Sequence, residues 1–219
     1  MLDDTLDLSA SLDPGLNIHP LCFNSGQLKI MHLNTQSMVS TFNELLLTVN
    51  SYPLDIAALR ETWLRDQPQL LDYVSIPGFV TEFRNREGIR GGGVGVYIKE
   101  NINYRRRRDI EYAHPELEHL WKKRLIKVPG RNKYGRALVG VIYNSERMLS
   151  PSDWLNSLEN LLGYLTVCWD GMLMLTGDIN IDVLRPSDHL AQRYQGILDM
   201  FELTQIVKRP TRTTKTFKT

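Results

Sequence analysis

Polar side chains that could bind a cation or a phosphate group stand at the ends of four apolar stretches of the sequence. Asn34, Glu61 and Tyr143 each end or follow one stretch, and Asp178 and Asn180 end or follow a fourth. Carboxylate and amide oxygens suit Mg²⁺, which in proteins commonly contacts substrate phosphates as well. One such residue alone is usually a turn former or a helix cap. Four together favour a hard-cation and phosphate site, because strand ends are where a rigid sheet fixes functional groups.

The elements that would position these residues alternate between strand and helix patterns. Apolar or alternating runs predict strands at 29–33, 54–59, 79–83, 94–98, 120–128, 137–143, 172–175 and 204–207. Helical spacing of apolar residues predicts helices across 42–49, after an N-cap at Ser150 with Pro151 in the first turn, and across 190–201. Because strands and helices interleave, we predict one domain of α/β type with layers of sheet and helix.

Composition excludes several classes of protein. The 219 residues are 42% hydrophobic and 23% charged, which is enough to bury a core. No apolar run in the sequence approaches the length of about 20 residues that a membrane-spanning helix needs. Residues 1–27 hold four aspartates and neither Lys nor Arg, so we expect a poorly ordered acidic leader followed by one domain over 28–219. The remaining chain is mildly basic, which suits a polyanionic partner.

Two isolated cysteines and the start of the chain bear on location. Cys22 and Cys168 form no C-x-x-C pair, which rules out a thiolate zinc cluster and argues against a disulfide-stapled secreted scaffold. The first residues are acidic, whereas a signal peptide begins with positive charge. We therefore expect the protein not to be secreted.

Three other features of the sequence allow both a functional and a structural interpretation. The stretch Gly91–Gly95 resembles a phosphate-binding loop, but a strand pattern follows it and no Gly-Lys-Ser/Thr is present, which excludes that kind of nucleotide site. Arg105–Arg108 could contact DNA phosphates or form a solvated loop, and both interpretations remain open. Four histidines have no metal-ligand spacing and are predicted to be structural or surface residues: His32, His114, His119 and His189.

Six motifs occur in an order that resembles a known superfamily. They are Leu33–Ser37, Leu59–Leu64, Arg90–Lys99, Val141–Tyr143, Gly177–Asp182 and Arg209–Arg212. Together they resemble the endonuclease/exonuclease/phosphatase superfamily, and more closely the apurinic-endonuclease-type domain of LINE-like (non-LTR) retrotransposons. The resemblance covers residues 28–219. It implies a DNase I-like α/β sandwich, in which two mixed sheets face each other and helices lie outside.

The resemblance also implies a role for each polar residue. Glu61 resembles the metal-binding glutamate, with Asn34 beside it, and the ion would be Mg²⁺ or alternatively Mn²⁺. Asp178 resembles the aspartate that orients or deprotonates the attacking water. Asn180, which points the same way along an extended segment, would donate to a phosphoryl oxygen, and Tyr143 resembles a phosphate-contacting tyrosine.

Substrate and partners follow from the same resemblance. Thr211 and Arg212 would contact the scissile strand of DNA. The implied activity is Mg²⁺-dependent nicking of DNA for retrotransposon insertion, with a downstream reverse transcriptase in the full-length element and a nuclear location. We further expect the site residues to converge on one cleft with an electropositive rim formed by Arg105–Arg108, Arg209 and Arg212.

The sequence departs from the family pattern in three places. Gln36 stands where these endonucleases often have Asp or Asn, and Asn144 and Ser145 replace a proline-containing segment. The final Ser-x-Ile-Asp and Ser-Asp-His strands are not in the sequence, so we expect the last strands of the fold to be missing and nicking to be weak or absent. Two alternatives stay open. One is a catalytically silent remnant that at most binds nucleic acid, and the other is a phosphatase that acts on a small phosphate ester.

Overall fold

The structure is a computed structural model that describes residues 28–65, 67–127, 134–145, 147–209 and 211. The predicted leader at 1–27 lies outside the described residues. The strands are β1 (Ile30–Asn34), β2 (Ile56–Arg60), β3 (Phe79–Arg84), β4 (Val94–Lys99), β5 (Tyr104–Arg106), β6 (Glu118–Lys127), β7 (Tyr134–Tyr143) and β8 (Met172–Asp178). The helices are α1 (Met38–Ser51), α2 (Pro68–Tyr73), α3 (Arg108–Ala113), α4 (Pro151–Cys168) and α5 (His189–Met200).

The strands form two mixed sheets of four strands each. The first sheet has the order β1-β2-β4-β3 and the second has the order β5-β6-β7-β8. Each sheet contains one parallel pair, β1 with β2 and β7 with β8, and its other pairs are antiparallel. The sheets face each other and α1, α4 and α5 cover their outer faces. The predicted α/β sandwich of DNase I type is therefore confirmed.

Strand alternation builds a separate apolar layer on each face of the first sheet. Ala58 and Val96 lie between the two sheets, while their chain neighbours Ala57 and Tyr97 lie beneath α1. Successive side chains of a strand point to opposite faces, so one buried strand serves both layers. This explains why β2 is apolar at nearly every position.

The long helix α4 begins where the sequence predicts. The Ser150 hydroxyl accepts a hydrogen bond from the Asp153 amide at 3.2 Å, and Pro151 occupies the first turn. Apolar side chains from α4 and α5 then cover the outer face of the second sheet. In the described part of the chain, no helix is long and apolar enough to cross a membrane.

The edge strand β3 closes one side of the sandwich with charged side chains. Glu82 pairs with Arg106 at 2.8 Å and with Lys122 at 2.9 Å across the gap between the sheets. The Arg84 guanidinium donates to the His119 carbonyl at 3.0 Å. Inward-pointing charge of this kind protects an edge strand from pairing with another chain.

Two predictions about local structure are wrong. Residues 204–207 form no strand: Ile206 is 80% exposed, Val207 is 45% exposed, and no strand in the described residues pairs with them. A strand without a neighbour leaves its amides unpaired, so a short alternating pattern alone does not make one. Arg105–Arg108 does not line the cleft described below, since it begins in β5, at the opposite edge of the second sheet from β8. Within it, Arg106 pairs with Glu111 and Arg107 pairs with Asp109.

His119 is a buried neutral histidine with both ring nitrogens in use. The Trp121 indole donates to its Nδ1, and its Nε2 lies 2.8 Å from the His114 carbonyl. This pairing requires the tautomer with hydrogen on Nε2. Burial, and secondarily the Arg84 charge, lowers the pKa of His119 from 6.5 to about 3.

The His119 pKa makes acid destabilisation the first prediction. Between pH 6.5 and about 3 the unfolded chain binds a proton at this position that the folded chain does not. The free energy of unfolding should therefore decrease as the pH is lowered through this range. This histidine contributes up to about 1.4 kcal/mol per pH unit. His119→Gln should flatten the slope in urea titrations at several pH values. The exposed His189→Gln serves as the control, and an equal flattening in both variants would contradict the assignment.

Candidate active site

The two parallel strand pairs end at the same end of the sandwich. Asn34 lies opposite Arg60 in the register of β1 and β2, and Tyr143 lies opposite Asp178 in the register of β7 and β8. Because β2 packs face to face against β7 and β8, these four strand ends meet. A cleft of about 450 Å³ opens there, lined by Asn34, Gln36, Arg60, Glu61, Trp63, Tyr143 and Asn180.

The Glu61 carboxylate is held by neutral donors. The Tyr143 hydroxyl donates to Oε1, and the Trp63 indole donates to Oε2 at 2.5 Å. The Gly92 amide lies 3.5 Å from the same Oε2. Each carboxylate oxygen can accept two hydrogen bonds, so these contacts fix the group and leave it room for a further ligand. None of these three donors carries a positive charge.

The backbone at Glu61 adopts a conformation that side chains rarely take. Glu61 has φ 57° and Trp63 has φ 52°, both in the left-handed region. Hydrogen bonds hold the segment from two sides. The Glu61 carbonyl accepts from the Ser37 amide at 2.9 Å and from the Thr35 hydroxyl at 3.1 Å, while the Trp63 amide donates to the Gly92 carbonyl at 2.9 Å. Strain of this kind persists only where the surroundings determine it, and it is common at functional sites.

Asp178 is held by a charged partner. An Arg60 guanidinium nitrogen lies 2.6 Å from its Oδ2, and the backbone amide of Asn180 donates to its Oδ1 at 2.9 Å. Asn180 has φ 48°, and its side chain donates to the Asn144 carbonyl at 2.6 Å. The Asp-x-Asn segment is therefore a tight turn anchored on β7, with the carboxylate turned toward β2.

All five predicted site residues come to one end of the domain. Asn34, Glu61, Tyr143 and Asn180 line the cleft, and Asp178 is joined to it through Arg60.

The two predicted substrate residues are less well described. Thr211 is exposed, and Arg212 lies outside the described residues. The role of each of the predicted site residues stays a prediction.

Two cleft residues were given no role from the sequence. Arg60 pairs with Asp178, and its guanidinium carbon lies 5.3 Å from the centre of the Tyr143 ring. Trp63 is 40% exposed, and the Arg90 guanidinium lies 5.8 Å from its ring. The sequence does show that Arg60 ends a buried strand directly before Glu61, which places a positive charge near the site. It does not show that Asp178 is the partner of Arg60.

His32 lies behind the Arg60–Asp178 ion pair. Burial and the Arg60 charge lower its pKa from 6.5 to about 4, with a partly opposing effect of Asp178. Its Nε2 has no hydrogen-bond partner among the described residues. The imidazole is therefore neutral at pH 7 and adds no charge to the cleft.

The donor set fits a weakly held Mg²⁺ ion better than a closed metal cage. Within the described part of the chain, no group of three or more His, Cys, Asp or Glu side chains is arranged to hold a metal ion. Mg²⁺ does not need such a group, since it usually takes one or two carboxylates and keeps several waters. The Glu61 carboxylate and the exposed Asn34 amide, which line the same cleft, meet that requirement.

Solved structures share this fold. The catalytic domain of Xenopus laevis APE2 superposes with a TM-score of 0.61 at 16% identity, over 80% of this chain and 67% of that one. The endonuclease domain of TRAS1, a telomere-specific non-LTR retrotransposon, gives 0.55 at 10% identity, over 80% and 71%. AP endonuclease LMAP from Leishmania major gives 0.60 at 15% identity, over 80% and 66%.

These similarities define a class by fold alone. The chain shares the two-sheet α/β fold of those three structures and spans about two thirds of each of them. No protein-family model and no curated protein matches the sequence.

Gly177 lets the chain bring Asp178 against β7. It has φ 145°, and a Cβ atom at this position would lie 1.8 Å from the Ile142 carbonyl oxygen. At this φ an L side chain would point into the β7 backbone, so the position requires glycine. Gly177 thus sets the position of Asp178 beside Tyr143.

Gly177→Ala should therefore destabilise the fold strongly, by at least about 3 kcal/mol, because backbone rather than a flexible side chain must move. Gly196→Ala is the matched control, since the space around Gly196 in α5 is open. Alanine there should stabilise by about 0.5–1 kcal/mol through helix propensity. Urea denaturation measures both, and a Gly177→Ala variant within 1 kcal/mol of wild type would contradict this account.

Proposed function

We propose that this chain is a divalent-metal-dependent phosphodiesterase domain that nicks DNA, of the type found in non-LTR retrotransposons, with water as the nucleophile and Mg²⁺ as the preferred ion. The fold supports the class of enzyme. The order of the six sequence motifs supports the retrotransposon type, and the TRAS1 endonuclease domain is among the similar structures. A nuclear location and a reverse transcriptase partner would follow from that origin.

One observation carries the proposal. Two carboxylates from different sheets, Glu61 and Asp178, stand at the same end of the sandwich, and both are fixed by contacts that cross between the sheets. Hydrolysis of a phosphodiester needs both a cation site and a group that orients water.

Glu61 and Asn34 would hold the ion. When bound, Mg²⁺ supplies charge stabilisation at the phosphate and at the leaving oxygen. Glu61 is suited to this role because three neutral donors fix its oxygens without cancelling its charge. The Asn34 side-chain oxygen accepts from the Gln36 amide at 3.2 Å, which fixes the direction of its carboxamide.

The other residues would handle water and the phosphate. Asp178 accepts hydrogen bonds and would orient the attacking water or remove its proton. Asn180 uses one amide hydrogen on the Asn144 carbonyl, and its second can donate to a phosphoryl oxygen. Tyr143 donates its hydroxyl hydrogen to Glu61, so its first role would be to position that carboxylate.

The nicking assay tests this function against the alternatives. Supercoiled plasmid is incubated with excess protein and Mg²⁺, so that slow nicking is visible. Glu61→Gln removes the carboxylate that would hold the ion, and Asp178→Asn removes the group that would orient or deprotonate the water. Each should lower the nicking rate at least about 100-fold. Glu159→Gln, at a half-buried position on α4 outside the cleft, should leave it unchanged. Nicking that resists a metal chelator would contradict the proposal, and no nicking by wild-type protein would favour the silent or phosphatase alternatives.

The side of the domain that binds DNA is tested by salt. Arg90 beside the cleft should contact phosphate, so Arg90→Gln should weaken binding and lower the slope of log affinity against log salt by about one. Arg105→Gln is the matched control, because Arg105 is exposed on β5 at the far edge of its sheet. Fluorescence anisotropy with duplex DNA measures the slopes. A loss of slope in Arg105→Gln alone would place DNA on the other edge.

A further inference from the structure

The two carboxylates at this end of the sandwich, Glu61 and Asp178, have partners of different charge. Among the residues that the structure describes, the donors to the Glu61 carboxylate are the uncharged groups of Tyr143, Trp63 and Gly92. Asp178 instead forms an ion pair with Arg60 at 2.6 Å. A cation that enters the cleft therefore meets an uncompensated negative charge at Glu61 and a compensated one at Asp178.

Arg60 is fixed in this position from several directions. It is the last residue of β2, and its carbonyl accepts from both the amide and the hydroxyl of Thr35 at 3.1 and 3.0 Å. Its side chain is 16% exposed and stacks on the Tyr143 ring while it bonds to Asp178. The planar guanidinium can stack on the ring and bond to the carboxylate at once, which keeps its charge beside Asp178.

A guanidinium held beside Asp178 opposes a dication there. Like charges repel most strongly in a partly buried site, where water screens them poorly. Without Arg60, the Asp178 carboxylate could bind a second divalent ion. The Arg60 guanidinium opposes that binding with its own positive charge.

We propose that Arg60 is a positioning residue that confines the divalent ion to Glu61, one ion per chain, and reserves Asp178 for the nucleophilic water. The inference rests on the proposed function for the ion at Glu61. It assigns the two carboxylates separate duties, one to the metal and one to the water, and it names the residue that separates them.

The test is a titration with Mn²⁺, followed by calorimetry and by the electron paramagnetic resonance signal of free Mn²⁺. Wild-type protein should bind one ion. Arg60→Gln should bind a second ion, or bind the first at least 10-fold tighter, because the opposing charge is gone. Arg60→Lys keeps the charge and should still bind one. The same number and affinity in Arg60→Gln as in wild type, or two ions in wild type, would overturn the proposal.

Arg136→Gln is the matched control. Arg136 also pairs with an aspartate, Asp170, and also stacks on an aromatic ring, that of Trp169, but outside the cleft. Its loss should leave Mn²⁺ binding unchanged. Tighter binding in both variants would show a general effect of net charge and would overturn a specific role for Arg60.

Variants of the carboxylates keep the proposal testable if Arg60→Gln does not fold. Asp178→Asn should still bind one ion, since Asp178 is not a ligand, whereas Glu61→Gln should bind none. The reverse pattern, or no Mn²⁺ binding by wild-type protein, would overturn the assignment. A wild-type chain that binds one ion, gains a second in Arg60→Gln and yet nicks no DNA would support the role of Arg60 and contradict the proposed endonuclease.

Discussion

The face-to-face contact of β2 with β7 and β8 is the constraint on which the site depends. Each of the two parallel pairs could form within its own sheet, but neither pair alone would bring Asp178 close to Glu61. The apolar layer between the sheets, with Ala58, Val96 and Val141 among its members, holds the two pairs at one spacing. Only then can the Tyr143 hydroxyl reach Glu61 and the Arg60 guanidinium reach Asp178. Packing of small and branched side chains thus decides the geometry of the polar cleft.

Sequence patterns located the strands that carry the site and missed the short elements. The strands β2 and β8 were predictable because four consecutive apolar residues make up most of each one. The helices α2 and α3 have six residues each, and β5 has three, so they show too few periods for a pattern to emerge. The false strand at 204–207 has the alternation of a strand but no described neighbour to pair with.

The same division applies to the residues of the cleft. Strand ends predicted that Asn34, Glu61, Tyr143, Asp178 and Asn180 would meet, because the register of a parallel pair fixes which residues end together. The direction of each side chain could not be predicted. Glu61 follows its strand with a left-handed φ of 57°, and that turn depends on hydrogen bonds from segments on both sides. The partner of Arg60 depends equally on the second sheet, which is distant in sequence.

The charged face of β3 also has a consequence for the accuracy of the cleft. Glu82 and Arg84 face the second sheet, while Phe79 and Phe83 lie on the other face against Tyr97. A slip of β3 by one residue would exchange the two faces, moving aromatic rings among ion pairs and charges under α1. Pairing with β4 therefore has a single alignment, enforced by chemistry on both faces. The loop after β3 places the Gly92 amide near the Glu61 carboxylate. The alignment of β3 with β4 therefore also fixes the position of this donor at the site.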